Sequence, residues 1–177
     1  MNPRKIILVM GPPRSGTSVT ARILHEKLGV CMGHNLVQGN PGNPKGFYED
    51  SDYVDAIRRK DLQELGNALY IGHGCEVVGI KSPELAFFNI GLLAPNLIIR
   101  TVRPTLYIAQ SLERWHRPTP TRNEALEIVE NYEKHIDVWC KQFETWPISM
   151  FPKRNEEELE EELRSCLQGV MVRIRGS

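Results

Sequence analysis

Residues Ile6 to Met10 form an uninterrupted aliphatic run that stops at Gly11-Pro12-Pro13 and leads at once into Arg14-Ser15-Gly16-Thr17-Ser18. At five residues the run falls short of the ~20 that cross a bilayer and of the ~7 to 15 in a signal-peptide core. Bounded by a Gly-Pro turn, Lys5 to Met10 reads instead as a strand buried on both faces. Beyond the turn, Thr17 to Leu28 carries Val19, Ile23 and Leu28 near one face and meets Gly29, a residue suited to a left-handed cap, so this segment is expected to be a helix. The N–H groups of such a turn and the positive end of the helix dipole converge on a small volume that suits a phosphate. The spacing from Gly11 to Gly16 is that of a Walker A loop, but Thr17 stands where that motif has lysine. Arg14 lies inside the turn, where a guanidinium can fork onto an anionic group.

The rest of the chain repeats the alternation. A helix is expected from Asp52 to Leu65, ending at Gly66, then a strand from Val77 to Lys81 and a helix opened by Pro83 and running to Leu93. Asn96 to Val102 is a second continuous apolar strand. Pro104 starts a helix to Trp115, and Thr121 with Glu124 forms a capping box for a long helix whose apolar stripe is Leu126, Val129, Tyr132, Ile136, Trp139 and Phe143. Pro147 to Phe151 is a short strand, and Asn155 caps a last helix carrying Leu159, Leu163 and Leu167. Strands alternating with helices over 177 residues imply one domain, residues 1–177, with a three-layer α/β/α architecture around a central parallel sheet, of the P-loop nucleotide-hydrolase type. In such sheets ligands bind beyond the carboxyl ends of the strands, which directs attention to the residues after Met10, Ile80 and Val102. The polar stretch Asn35 to Gly46, with three Gly and two Pro, is a long loop, and loops of this length tend to be functional.

Charge narrows the partners. Lys plus Arg and Asp plus Glu are both 22, so the net charge of zero creates no field to attract nucleic acid or an acidic membrane. Any anion must be held by local cations. The four cysteines, Cys31, Cys75, Cys140 and Cys166, have no paired spacing of the zinc, haem or redox kind, and read as reduced thiols of a cytoplasmic protein. A kinase with Mg²⁺ would need an acid at the end of a later strand, whereas one strand ends at Lys81 and the other runs into Arg103. This favours a polyanionic ligand neutralised by side chains, with no metal.

Two segments resemble the sulfotransferase family that uses 3′-phosphoadenosine-5′-phosphosulfate (PAPS) as donor and releases adenosine 3′,5′-bisphosphate (PAP). Pro13-Arg14-Ser15-Gly16-Thr17-Ser18 is similar to that family's 5′-phosphosulfate loop, and Arg103 followed eight residues later by Ser111 is similar to its 3′-phosphate pair. The resemblance spans roughly Lys5 to Gly169, though its specific motifs are only a small part of that span. It implies that Arg14, with Thr17 and Ser18, contacts the transferring sulfonate and the 5′-phosphate, and that Lys81 steadies the bridging oxygen. Many members carry near their end a basic segment that folds over the nucleotide; here Arg173, Arg175 and Gly176 read as an ordinary polar tail, with a remnant of that segment as the alternative. Members use either His or Glu as the base. Here Glu49 is favoured, since it follows the long loop and lies beside Phe47 and Tyr48, which would desolvate it, while Asp50 reads as a helix cap. His34 is the main competitor and His73 the next; His25, His116 and His135 lie in or beside helices. Phe47, Tyr48, Trp115 and Trp146 are candidates to line an acceptor pocket or stack adenine, with core packing as the alternative. The expected acceptor is a small molecule, glycan or peptide; competing readings are a P-loop small-molecule or nucleotide kinase and a non-catalytic nucleotide-binding module.

Overall fold

In the computed structural model, which describes residues 5–41, 43–71, 75–115 and 118–175, strand β1 (Lys5–Met10) occupies the middle of a four-stranded parallel sheet. Its neighbours are β2 (Val77–Lys81) on one side and β3 (Leu97–Val102) on the other, with β4 (Thr145–Ser149) beyond β3 at the edge. Register runs Val9 opposite Lys81 and opposite Ile99, and Val102 opposite Ser149. Pro147 falls in β4, an edge strand, where a residue lacking an N–H is tolerated.

Alternation along the strands divides the core into two layers. Ile7, Val9, Leu97, Ile99 and Ile148 face α1 (Thr17–Leu28) and α6 (Glu156–Arg175), where they meet Ile23, Leu24, Leu159 and Leu163. Leu8, Met10, Val78, Ile80 and Ile98 face the opposite layer of α2 (Ser51–Arg59), α3 (Leu62–Ile71) and α5 (Arg122–Cys140), together with two short 3₁₀ turns at Pro83–Phe87 and Ile90–Leu93. The sheet is thus covered on both faces, as its aliphatic strands require. The third cluster joins α5 through Ala125 and Val129 to Ile108 and Leu112 of α4 (Thr105–Trp115). Arg22 on α1 forks onto Glu156 at the start of α6, at 2.9 and 2.7 Å, and fixes the two helices to each other.

Boundaries differ from expectation at three places. The helix expected from Asp52 to Leu65 is two helices, because Lys60 adopts φ +56° and caps α2, and Asp61 Oδ1 accepts the Glu64 amide to start the next; Gly66 then lies inside α3. Pro83 to Leu93 winds as two 3₁₀ turns, the first capped by Ser82. The last strand ends at Ser149, two residues earlier than read from the sequence. On α1, Val19 points away from the core with 37% exposure. The capping box of Thr121 and Glu124 is formed as expected.

Asp50 is a structural hub. Oδ1 accepts the amides of Asp52 and Tyr53 and caps α2, while Oδ2 accepts those of His34 and Asn35 and ties down the start of the long loop. A buried carboxylate accepting four amides cannot be mimicked by a carboxamide, whose NH₂ repels two of those donors. Asp50→Asn is therefore expected to destabilise the fold by about 2 kcal/mol, measured by denaturant titration.

Candidate functional site

The glycine-rich loop between β1 and α1 is shaped by backbone constraints. Gly11 packs so closely under Thr101 and Ser15 that a Cβ there would overlap both hydroxyls. Gly16 has φ +109° and a Cβ on it would lie 2.6 Å from Met150 Cε. Arg14 also takes a left-handed conformation, φ +73°, which costs a non-glycine residue about 1–2 kcal/mol. No side chain caps α1 and its first turn carries no acid, so the helix dipole opens toward the loop uncompensated by a carboxylate on that turn.

Neighbouring strands supply the fixings. The Thr101 hydroxyl of β3 meets Ser15 Oγ at 2.7 Å inside the core and reaches the Met10 carbonyl at 3.4 Å. Arg103, two residues further along, donates from Nη1 to the Arg14 carbonyl at 3.1 Å. Arg14 Nε in turn donates to Ser111 Oγ on α4 at 3.0 Å. The two sequence motifs therefore meet in space. Burial and the adjacent Arg103 charge both lower the Arg14 pKa from its usual value, as expected for two guanidinium groups held side by side.

At the other edge of the loop, Lys81 ends β2. Its Nζ donates to Ser18 Oγ at 3.2 Å, forms a close ion pair with Glu49 Oε1, and lies 5.8 Å from the centre of the Phe47 ring. Both partners are withdrawn from water, with side chains 4% and 13% exposed. Burial lowers the Lys81 pKa, and the Glu49 carboxylate opposes that shift. These groups line a cleft of about 510 Å³, a size usual for small-molecule sites. Among the described residues, the cleft is lined by the loop residues Pro13 to Ser18, four cations (Arg14, Lys81, Arg103, Lys153) and one carboxylate, Glu49. It opens beyond the carboxyl ends of β1, β2, β3 and β4.

The remaining candidates separate clearly. His34 is exposed and does not line the cleft, because Asp50 binds its backbone amide while the side chain stays at the surface, so the competing base is not brought to the site. Tyr48 turns the other way with φ +54° and bonds Glu26; burial and that carboxylate push its hydroxyl up to about 12. Phe47 lines the cleft, whereas Trp115 and Trp146 do not. His73, His116, Gly176 and the side chains of Arg173 and Arg175 lie outside the described residues. Sequence reasoning missed Asn43, Tyr107, Met150, Phe151 and Lys153. Tyr107 and Phe151 stack at the mouth with ring centres 4.7 Å apart, although both are over 40% exposed. Both follow strand ends, and that position was the available signal.

No family model matches the sequence, and no curated protein does. Among solved structures, the deoxyadenosine kinase from M. mycoides with bound dATP is similar, with a TM-score of 0.56 and 13% identity over 92% of this chain and 99% of that one. The chain thus shares the fold of that structure, an α/β fold with a central parallel sheet and a P-loop-like turn after the first strand. Among the described residues, no helix is long and apolar enough to cross a membrane.

Removing one partner of the Lys81–Glu49 pair leaves the other charge buried. Lys81→Met is expected to destabilise the protein by about 3 kcal/mol, and Glu49→Gln in the same chain to recover most of the loss, as measured in a double-mutant denaturation cycle.

Proposed function

We propose that this protein is a sulfotransferase, moving a sulfuryl group from PAPS to a hydroxyl or amine of a small-molecule, glycan or peptide acceptor. The observation that carries the reading is the buried Lys81 ammonium at the end of β2, bonded to Ser18 of the glycine-rich loop and to Glu49. In a Mg²⁺-dependent kinase the charge needed at this strand end is an acid that holds the metal. Here a fixed cation can meet the donor's phosphosulfate directly.

In the reaction, the acceptor oxygen attacks sulfur in line, the bond from sulfur to the 5′-phosphate oxygen breaks, and PAP leaves with the extra negative charge. The acceptor proton passes to Glu49, whose Oε1 is engaged by Lys81, leaving Oε2 to take it. Lys81 and the loop amides stabilise the charge that develops on the leaving phosphate, an interaction strongest in the transition state. Arg14 and Arg103 neutralise the rest of the nucleotide, and the Tyr107–Phe151 pair offers a face for adenine.

A second reading is favoured by the solved neighbour, a kinase with bound dATP: a P-loop kinase acting on a nucleoside or other small molecule with ATP. Thr17 in the lysine position and Lys81 in the acid position count against it.

Melting shifts separate the two. At a hundredfold excess over Kd, PAP is expected to stabilise the protein by about 2.7 kcal/mol, with or without Mg²⁺; stabilisation by ATP with Mg²⁺ alone would establish the kinase reading instead. Glu49→Gln is expected to retain PAP binding and lose transfer.

The pH profile follows from Lys81. The ammonium is the active form, and its folded pKa lies below the ~10.4 of a free lysine. Activity should therefore fall, as pH rises, at a lower pH than exposed lysines titrate, and Lys81→Arg should move that limb upward in whatever activity it retains.

A further inference from the structure

Thr101 and Arg103 lie two residues apart at the end of β3, on one side of the strand, and hold two consecutive residues of the glycine-rich loop: Thr101 the hydroxyl of Ser15, Arg103 the carbonyl of Arg14. Nearly two helical turns into α4, Ser111 accepts from the guanidinium of the same Arg14. Arg14 is thus grasped at both ends, backbone and side chain, and it is the residue whose left-handed φ of +73° the loop needs but an L side chain resists. The Arg103 bond fixes the peptide after Arg14, and the Ser111 bond aims the guanidinium plane.

We propose that Arg103 and Ser111 are positioning residues for the glycine-rich loop as well as contacts for the far end of the donor, so that the site at β3 and the site at β1 form one interlocked unit. For the donor's identity this rests on the sulfotransferase reading. The consequence is specific: disturbing Arg103 or Ser111 must weaken a ligand that touches only the loop. A residue whose whole task is to bind a 3′-phosphate has no influence on a nucleotide lacking that group. The shared Arg14 also makes the two ends of the ligand energetically coupled.

The test is calorimetric titration of PAP, adenosine 5′-monophosphate and inorganic pyrophosphate into the wild type, Arg103→Ala, Ser111→Ala and Ser111→Thr. Circular dichroism and melting temperature report whether each variant folds; Ser111, half-buried on a helix, is the safer site should Arg103→Ala unfold. The expected result is that Ser111→Ala and Arg103→Ala each weaken adenosine 5′-monophosphate and pyrophosphate by about fivefold to tenfold, that the loss for PAP is not the sum of separate losses, and that Ser111→Thr restores affinity by restoring the hydroxyl. Monophosphate and pyrophosphate affinities unchanged within twofold in both alanine variants, with PAP alone weakened, would overturn the proposal. If the wild type binds neither nucleotide, the sulfotransferase reading fails by itself, and pyrophosphate alone decides for or against the clasp.

Discussion

A lysine ammonium withdrawn from water at the end of β2, the strand beside the glycine-rich loop's own, is the constraint around which this molecule is organised. Burial disfavours the charge of Lys81, and Glu49 and Ser18 answer it from two different elements. Glu49 is delivered by the return of the long loop, whose course is fixed by Asp50 one residue later through amides on both sides of the excursion. Loop, helix α2, strand β2 and the start of α1 are thereby locked to one another by a few polar contacts at one end of an otherwise aliphatic sheet.

The distribution of charge follows from the same arrangement. The protein is neutral as a whole, yet among the described residues its cleft gathers four cations against one carboxylate. That carboxylate is already committed to Lys81. Some of the other acids are engaged elsewhere: Glu156 on Arg22 between α1 and α6, Glu133 and Asp137 on Arg100 against the opposite layer. A site of this sign, built on backbone amides and a helix N-terminus, has the charge that suits a polyanion, which is the basis of the function proposed for it.

What the sequence disclosed was mainly local. The unit from Lys5 to Leu28 is legible because an aliphatic run, a Gly-Pro turn and a capped amphipathic segment each act within a few residues, and the same holds for the capping box at Thr121. Asp50 as a cap was legible too, though not its hold on His34 and Asn35, which joins residues fifteen or more positions apart. The break at Lys60 was hidden because lysine seldom takes a left-handed conformation and nothing in composition announces it. Tyr107, Phe151 and Lys153 were overlooked for a topological reason: Tyr107 lies in the first turn of α4, Phe151 and Lys153 follow β4, and setting the last strand two residues too far placed Phe151 inside an element. The pairing of Arg14 with Ser111 spans 97 residues and is a property of the fold alone.

The central claim is that side-chain cations on this scaffold do the work that a divalent metal does in nucleotide kinases. A crystal structure of the protein with PAP, grown with Mg²⁺ present, tests it most directly. The account predicts the 5′-phosphate on the amides of the glycine-rich loop with the Lys81 ammonium in hydrogen-bond contact and Arg14 and Arg103 turned to the nucleotide. A magnesium ion between Ser18 and the phosphate with Lys81 displaced, or a nucleotide bound away from both arginines, would contradict it.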